Sequence, residues 1–250
     1  MQLTLQPRQV VRPLFGVVLM LTVINSVVLF FYFYIPDDEV YGLVDLFDFD
    51  IEGNIPTLYS AVAMLFSAAL LWCIAHLPGR DRDRQRAYWM GLSAVMAFLA
   101  IDEGTAIHEN ASDLLERYMV AEGFLYFLWV IPYGIATLAL AGIYLRFVFA
   151  LPSDTRRLFF AAGFIFLTGA LGIEMLGARE ADLHGTSTIW YCVLYTVEEF
   201  SEMTGVVVFI YGLLTHIAWE RETFSVVLVS PSHRSLTNGR PGRGSTGPYV

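Results

Sequence analysis

Apolar runs, each long enough or nearly long enough to cross a bilayer, alternate along the chain with short charged stretches. Between Arg12 and Asp37 lie 24 residues without a charge; Gly53 to Gly79 gives 27 and Gly123 to Leu145 gives 23. A helix rising about 1.5 Å per residue needs about 20 apolar residues to cross roughly 30 Å of hydrocarbon, so these three runs suffice. Three others fall short: Ala87 to Ile101 has 15 uncharged residues, Leu158 to Ile173 has 16, and Met203 to Trp219 has 17. Each is cut off by acid, at Asp102-Glu103, at Glu174 and, reading the last run backwards, at Glu202. The short segments can span only by carrying those acids into the membrane. The pattern predicts an all-α polytopic membrane protein, a bundle of six transmembrane helices over about 14–35, 57–77, 87–108, 124–147, 158–178 and 188–219. These make up a membrane domain of residues 1–229, and the Gly-, Pro-, Ser- and Arg-rich stretch 230–250 is expected to be a disordered tail. In the first loop, alternating Leu43, Asp45, Phe47, Phe49 and Ile51 suggest a piece lying on the membrane surface.

Orientation follows from arginine. With both termini cytoplasmic and six crossings, 13 arginines fall inside and only Arg117 and Arg179 outside, as the positive-inside rule favours. The expected setting is a bacterial inner membrane, with the lipid bilayer as the first partner and a homo-oligomer or a membrane-complex subunit as a possible state.

Composition narrows the chemistry. The chain is 56% hydrophobic and 16% charged, with a formal net charge of −9, so it has nothing to neutralise phosphates and no nucleic-acid partner is expected. All 15 basic residues are arginine. Without lysine no Schiff base can form, which excludes retinal and pyridoxal phosphate. Cys73 and Cys192 lie in apolar runs on different segments and read as small buried hydrophobes.

The acids are the chemical signal. Counted from the arginine-rich ends of their helices, Asp102, Glu103, Glu174 and Glu202 reach one level, roughly 24–27 Å up. His108, Glu109, Glu198 and Glu199 lie one or two turns higher. On the last helix Tyr191, Tyr195, Glu198, Glu199 and Glu202 share a sector about 100° wide. Carboxylates facing lipid are costly, so these faces turn inward. Held close together, they cannot all remain ionised unless protons, the two outer arginines or a metal join them. Oxygens with one or two histidines form a ligand set suited to a divalent ion such as Fe, Mn or Zn. The expected metal ligands are therefore Asp102, Glu103, His108, Glu109, Glu174, Glu198, Glu199 and Glu202. His108 points away from Glu103 on an unbroken helix, so one coordination sphere holding both needs a break, which Gly104 would permit. The Glu-x-x-His spacing of di-iron bundles is absent; the nearest pairs are Glu103 with His108 and Glu180 with His184.

Other readings stay open. Acids at helix ends near an interface are common and can be a wet, idle rim. A proton or cation transporter or channel would also place ionisable groups in the membrane, but should carry them on towards the arginine side, where these helices offer little beyond Ser93, Thr168 and Thr215. An accessory subunit without chemistry of its own is a third possibility. His76 and His216 lie at the arginine-rich ends of their helices and read as amphipathic end groups rather than haem ligands. Asn110-Ala111-Ser112 matches a glycosylation triplet, a pattern frequent by chance.

Asp50-Ile51-Glu52-Gly53-Asn54-Ile55-Pro56-Thr57 before the second helix, with Asp102-Glu103 and His108-Glu109 closing the third, resembles a group of uncharacterised bacterial multi-pass membrane proteins. The resemblance covers the six helices but not the tail. It implies a shared fold and a shared acidic site, brings no activity, and implies that Glu52 and Asn54 join the same outer pocket. The reading that results is a membrane protein with an acidic, metal-binding pocket near the outer face, acting as a metal-dependent enzyme on a membrane-associated substrate.

Overall fold

The computed structural model describes residues 2–4, 6–34, 38–77, 83–220 and 225–227. The expected disordered tail at 230–250 and the stretch 78–82, with Arg80 and Arg82, lie outside them. The described chain is predominantly helical. The elements are α1 (Pro7–Tyr34), α2 (Asp38–Phe47), α3 (Ile55–Ala75), α4 (Asp83–Thr105), α5 (Ile107–Leu115), α6 (Val130–Phe149), α7 (Ser153–Leu167), α8 (Glu174–His184) and α9 (Ile189–Glu220). Two three-residue strands, β1 (Gln2–Thr4) and β2 (Ser225–Val227), pair antiparallel. Among the described residues five helices are long and apolar enough to cross a membrane, or six if α4 and α5, which meet at a 75° bend, count as one span. α7 and α8 act as one long element, joined by a π-helical segment, Thr168–Ile173.

The spans run alternately up and down, so each charged end gathers on one side. Arg86 of α4 reaches His76 after α3 at 2.9 Å, and Arg156 of α7 caps the Phe149 carbonyl of α6 at 3.0 Å. The opposite end collects the acids. α3 packs along α4, and α9 packs along α7, α1 and α3. Close approach of α7 and the π-helical segment to α9 depends on glycine: a Cβ at Gly205 would lie 2.8 Å from the Phe166 backbone, and one at Gly169, in the π-helical segment, would lie 2.8 Å from the Glu198 carbonyl. Small residues at such contacts are how membrane helices gain packing where no hydrophobic force drives them together.

Three apolar clusters stack along the bundle. One, towards the acidic end, holds Val18, Leu21, Tyr191, Tyr195 and Met203. A middle cluster holds Ala63, Met64, Ala100, Val206 and Ile210. The third, at the arginine end, holds Leu71, Trp89, Phe147, Phe159, Leu213 and Ile217. Leu58, Leu65, Trp72, Leu138 and Phe164 are exposed on the outside of the bundle, where lipid rather than water is their solvent. Cys192 is buried as expected; Cys73 is not, because it falls on the outward side of α3 beside Trp72.

The expected helix 87–108 differs from the structure in a way that matters for the site. α4 stops at Thr105, Ala106 takes the left-handed conformation with φ 51° and ψ 40°, and α5 starts in a new direction. The break falls two residues beyond Gly104.

A candidate cation site in an acidic cavity

A cavity of about 390 Å³ opens at the acidic end of the bundle. All eight residues expected from the sequence line it: Asp102, Glu103, His108, Glu109, Glu174, Glu198, Glu199 and Glu202. Four more acids, Asp50, Glu52, Asp113 and Glu116, complete a wall of eleven carboxyl groups and one imidazole. No arginine is among the described residues that line it. Arg179 instead lies over the Phe124 ring, 4.9 Å from its centroid, and Arg117 is exposed. Of the three sources of positive charge, protons and a metal remain.

The bend at Ala106 organises the upper wall. It turns the first turn of α5 back onto the last turns of α4, so that Asp102 Oδ1 accepts from the His108 backbone N–H at 2.9 Å. Asp102 thereby caps a helix that begins beyond it, where the amides and the helix dipole favour an anion. The same oxygen accepts from the Tyr133 hydroxyl at 2.8 Å, and Oδ2 lies 3.5 Å from His108 Nδ1. Asp102 is 5% exposed. The other ring nitrogen, Nε2, lies 3.4 Å from Glu52 Oε1. The imidazole is thus held between two carboxylates, with the Trp129 ring against it at 4.9 Å.

Glu52 comes from the loop between α2 and α3, and a chain of bonds fixes that loop. Asn25, fully buried in α1, accepts from the Phe49 N–H at 3.2 Å and donates to Thr196 Oγ1 of α9 at 2.9 Å. Tyr191 of α9 donates to Asp50 Oδ1 at 2.8 Å. Asn54 donates to the Asp48 carbonyl at 2.5 Å while its Oδ1 caps α3 through the Thr57 N–H at 3.1 Å. Burial, with Asp48 and Glu109 nearby, pushes the Asp50 carboxyl up to about 6 against the Tyr191 hydrogen bond. Burial pushes Glu52 up to about 7; His108 opposes this, and Glu109, Glu103 and Asp102 add to it. Glu52 Oε2 is buried with no hydrogen-bond partner.

Deeper in, Trp129 Nε1 donates to Glu174 Oε1 at 2.9 Å, and Glu198 lines the same wall. Glu103, Glu199 and Glu202 line the cavity with them. Phe166 and Ala170 of the α7 and π segments line the wall beside them, and Met64 and Leu99 are apolar members of the lining from α3 and α4. The π-helical segment directly precedes Glu174; such segments recur at functional sites because they re-aim side chains.

One donor atom each from Glu52, His108 and Glu109 lies within 4.8 Å of the others, close enough for a single ion. Only two of these three were expected as ligands from the run lengths; Glu52 was reached through its motif. Asp102 fits better as the carboxylate that orients a ligand histidine than as a ligand. The remaining acids line the cavity without belonging to this group. Glu180 and His184 pair at 3.0 Å outside the cavity.

A family model described as a domain of unknown function, DUF8692, matches residues 13–217. The chain belongs to that family. No curated protein and no solved structure matches it. The DUF8692 match runs from Pro13 in α1 to Ile217 in α9, so every wall of the cavity lies within the family domain.

Proposed function

We propose that this membrane protein binds a divalent cation at Glu52, His108 and Glu109 and uses it as a metal-dependent enzyme on a membrane-associated substrate. The observation that carries the proposal is the donor set itself: three ligand atoms within 4.8 Å, in a cavity of eleven carboxyl groups with no arginine among the described residues that line it. Two carboxylates and an imidazole form a hard-to-borderline set, suited to Mn, Fe or Zn with positions left open. A divalent ion in such a site supplies Lewis acidity and lowers the pKa of a bound water. Asp102, itself held by Tyr133, would set the tautomer and angle of His108, and the Asn25–Phe49 and Tyr191–Asp50 bonds would hold Glu52 over the cavity.

A second reading, proton or cation movement, draws support from the acids carried on membrane helices into the cavity, Glu174, Glu198, Glu199 and Glu202. Against it, the clusters below the cavity are built mainly of apolar side chains, no acid is among the described buried residues there beside Thr155, Thr204 and His216, and the Ser67 and Ser93 hydroxyls donate to the Ala63 and Ala68 carbonyls. A one-sided cavity suits a site better than a pathway. We place it on the outer side of a bacterial inner membrane, with both termini cytoplasmic, on the arginine distribution.

Metal analysis of the detergent-purified protein tests the proposal. About one equivalent of a transition metal should co-purify or be taken up from solution, and Glu52→Gln should lose it. A protein that neither carries metal nor melts differently when Mn2+ or Zn2+ is added would refute it.

A further inference from the structure

α5 carries two chemically opposite faces. At about 100° per residue His108, Ser112, Glu116, Glu109 and Asp113 fall in a sector about 140° wide. All five line the cavity. Ile107 and Leu114 lie at the centre of the opposite side, 39% and 54% exposed. The 75° bend from α4 makes α5 run across the end of the bundle rather than along it. The turn that follows is also exposed and apolar, with Tyr118 at 80%, Met119 at 44% and Val120 at 78%. Before the bend, Phe98 and Ile101 on the last turns of α4 are exposed too, so outward apolar positions continue from a membrane span onto α5. A helix with this division of faces, attached to a span, matches those that lie in the plane of the interface with their apolar side among the acyl chains.

We infer that α5 and the 118–120 turn dock on the leaflet at the acidic end, with Ile107, Leu114, Tyr118 and Val120 among its acyl chains. The partner is the lipid surface. The division of faces agrees: the acids of α5 line the cavity, and the outward side carries no charge, the amide of its exposed Asn110 donating to the Ala106 carbonyl at 2.7 Å. The consequence deepens the metal-enzyme reading, on which it rests: the His108–Glu109 wall stands at headgroup depth, so a lipid headgroup meets the cavity without leaving the membrane surface.

The test uses the full chain in phosphatidylcholine–phosphatidylglycerol vesicles, in a Cys73→Ala, Cys192→Ala background. Nitroxide labels are placed through Ile107→Cys and Leu114→Cys, with Asp113→Cys for the cavity side and Leu138→Cys for the bilayer interior. Labels at 107 and 114 should favour collision with oxygen over a neutral nickel chelate several-fold more than the label at 113, approaching the label at 138. Nickel accessibility at both 107 and 114 equal to that at 113 would overturn the inference. Two independent positions guard against a local effect of either substitution. Mn2+ titrated into the same vesicles reports on the cation reading separately, so either idea can fail alone.

Discussion

Glu52 offers the sharpest test of the cation reading, because its loop lies outside the spans and its ionisation falls within an accessible pH range. A metal takes the carboxylate, not the acid. With the folded carboxyl pushed up to about 7 by burial, ionisation is incomplete at neutral pH. About one-tenth of the molecules carry the carboxylate at pH 6 and about nine-tenths at pH 8, so Mn2+ affinity should rise about tenfold over that range from Glu52 alone. A ligand histidine must also be neutral, which steepens the same trend. Without metal the sign reverses. Glu52 holds its proton more tightly folded than unfolded, where its value is 4.5, so it lowers stability progressively as pH rises from about 4.5 to about 7. The melting temperature of the metal-free protein should therefore fall over this window while the increment given by Mn2+ grows. Glu52→Gln should remove the Glu52 share of both trends, leaving those of Asp50 and the histidine, and weaken Mn2+ binding by about tenfold or more, the order seen when groups supporting a metal site are lost. Calorimetric titration and melting curves in nanodiscs at pH 6, 7 and 8 provide the readout. Equal affinity at pH 6 and 8, or equal affinity for the wild type and Glu52→Gln, would refute the assignment.

Glu202→Gln, on the deep wall, should reduce the metal-dependent melting shift less than Glu52→Gln does; the reverse order would move the ion to the inner carboxylates. Gly205→Ala should destabilise the bundle by about 1–3 kcal/mol, because the new Cβ meets the Phe166 backbone rather than a movable side chain; an unchanged melting temperature would count against this α7–α9 contact. Cysteines introduced at Asp45 and Asp182 should react with an impermeant reagent in intact cells, and those at Arg84 and Ser153 should not; labelling at position 84 would reverse the topology. Ala106→Gly should leave Mn2+ binding unchanged and raise stability by up to about 1 kcal/mol, since glycine adopts φ 51° without a Cβ clash; lost binding would show that the break needs alanine.

The spans were legible because membrane crossing is largely a matter of counting, and the uncharged runs around Val18, Met64 and Leu138 count correctly. The convergence of Asp102, Glu103, Glu174, Glu198, Glu199 and Glu202 on one cavity was legible for a related reason: rise per residue fixes depth, and 3.6-residue periodicity fixes facing. Loop and tertiary contributions were not. Nothing in the apolar pattern links Glu52 to His108, or Tyr133 to Asp102, because those pairs depend on how separate helices are set beside one another. The π segment at Thr168–Ile173 was hidden in an ordinary apolar run, and the short α2 ends at Phe47, within a stretch whose alternation suggested only a surface piece.

The break at Ala106 shows where local preference yields to the site. Gly104 is the better breaker, yet the left-handed residue is an alanine two positions later. A non-glycine residue in that region costs about 1–2 kcal/mol, so the surroundings must favour it. They do so through several bonds at once. The Ala106 carbonyl accepts from Asn110 Nδ2 at 2.7 Å, and Thr105 Oγ1 donates back to the Ile101 carbonyl at 2.6 Å. Asp102 takes the His108 amide, and Ser112 of α5 accepts from the Trp129 N–H at 2.9 Å. An unbroken helix would carry Asp102 and His108 about 600° apart in phase, on different faces, and would forfeit all of the contacts made across the bend. Backbone strain of this kind collects where a constellation must be held, and here it brings an imidazole from one helix against carboxylates from two other segments. The same bend exposes the apolar side of α5 to the leaflet. One strained residue therefore sets both the wall of the cavity and the surface on which that wall rests.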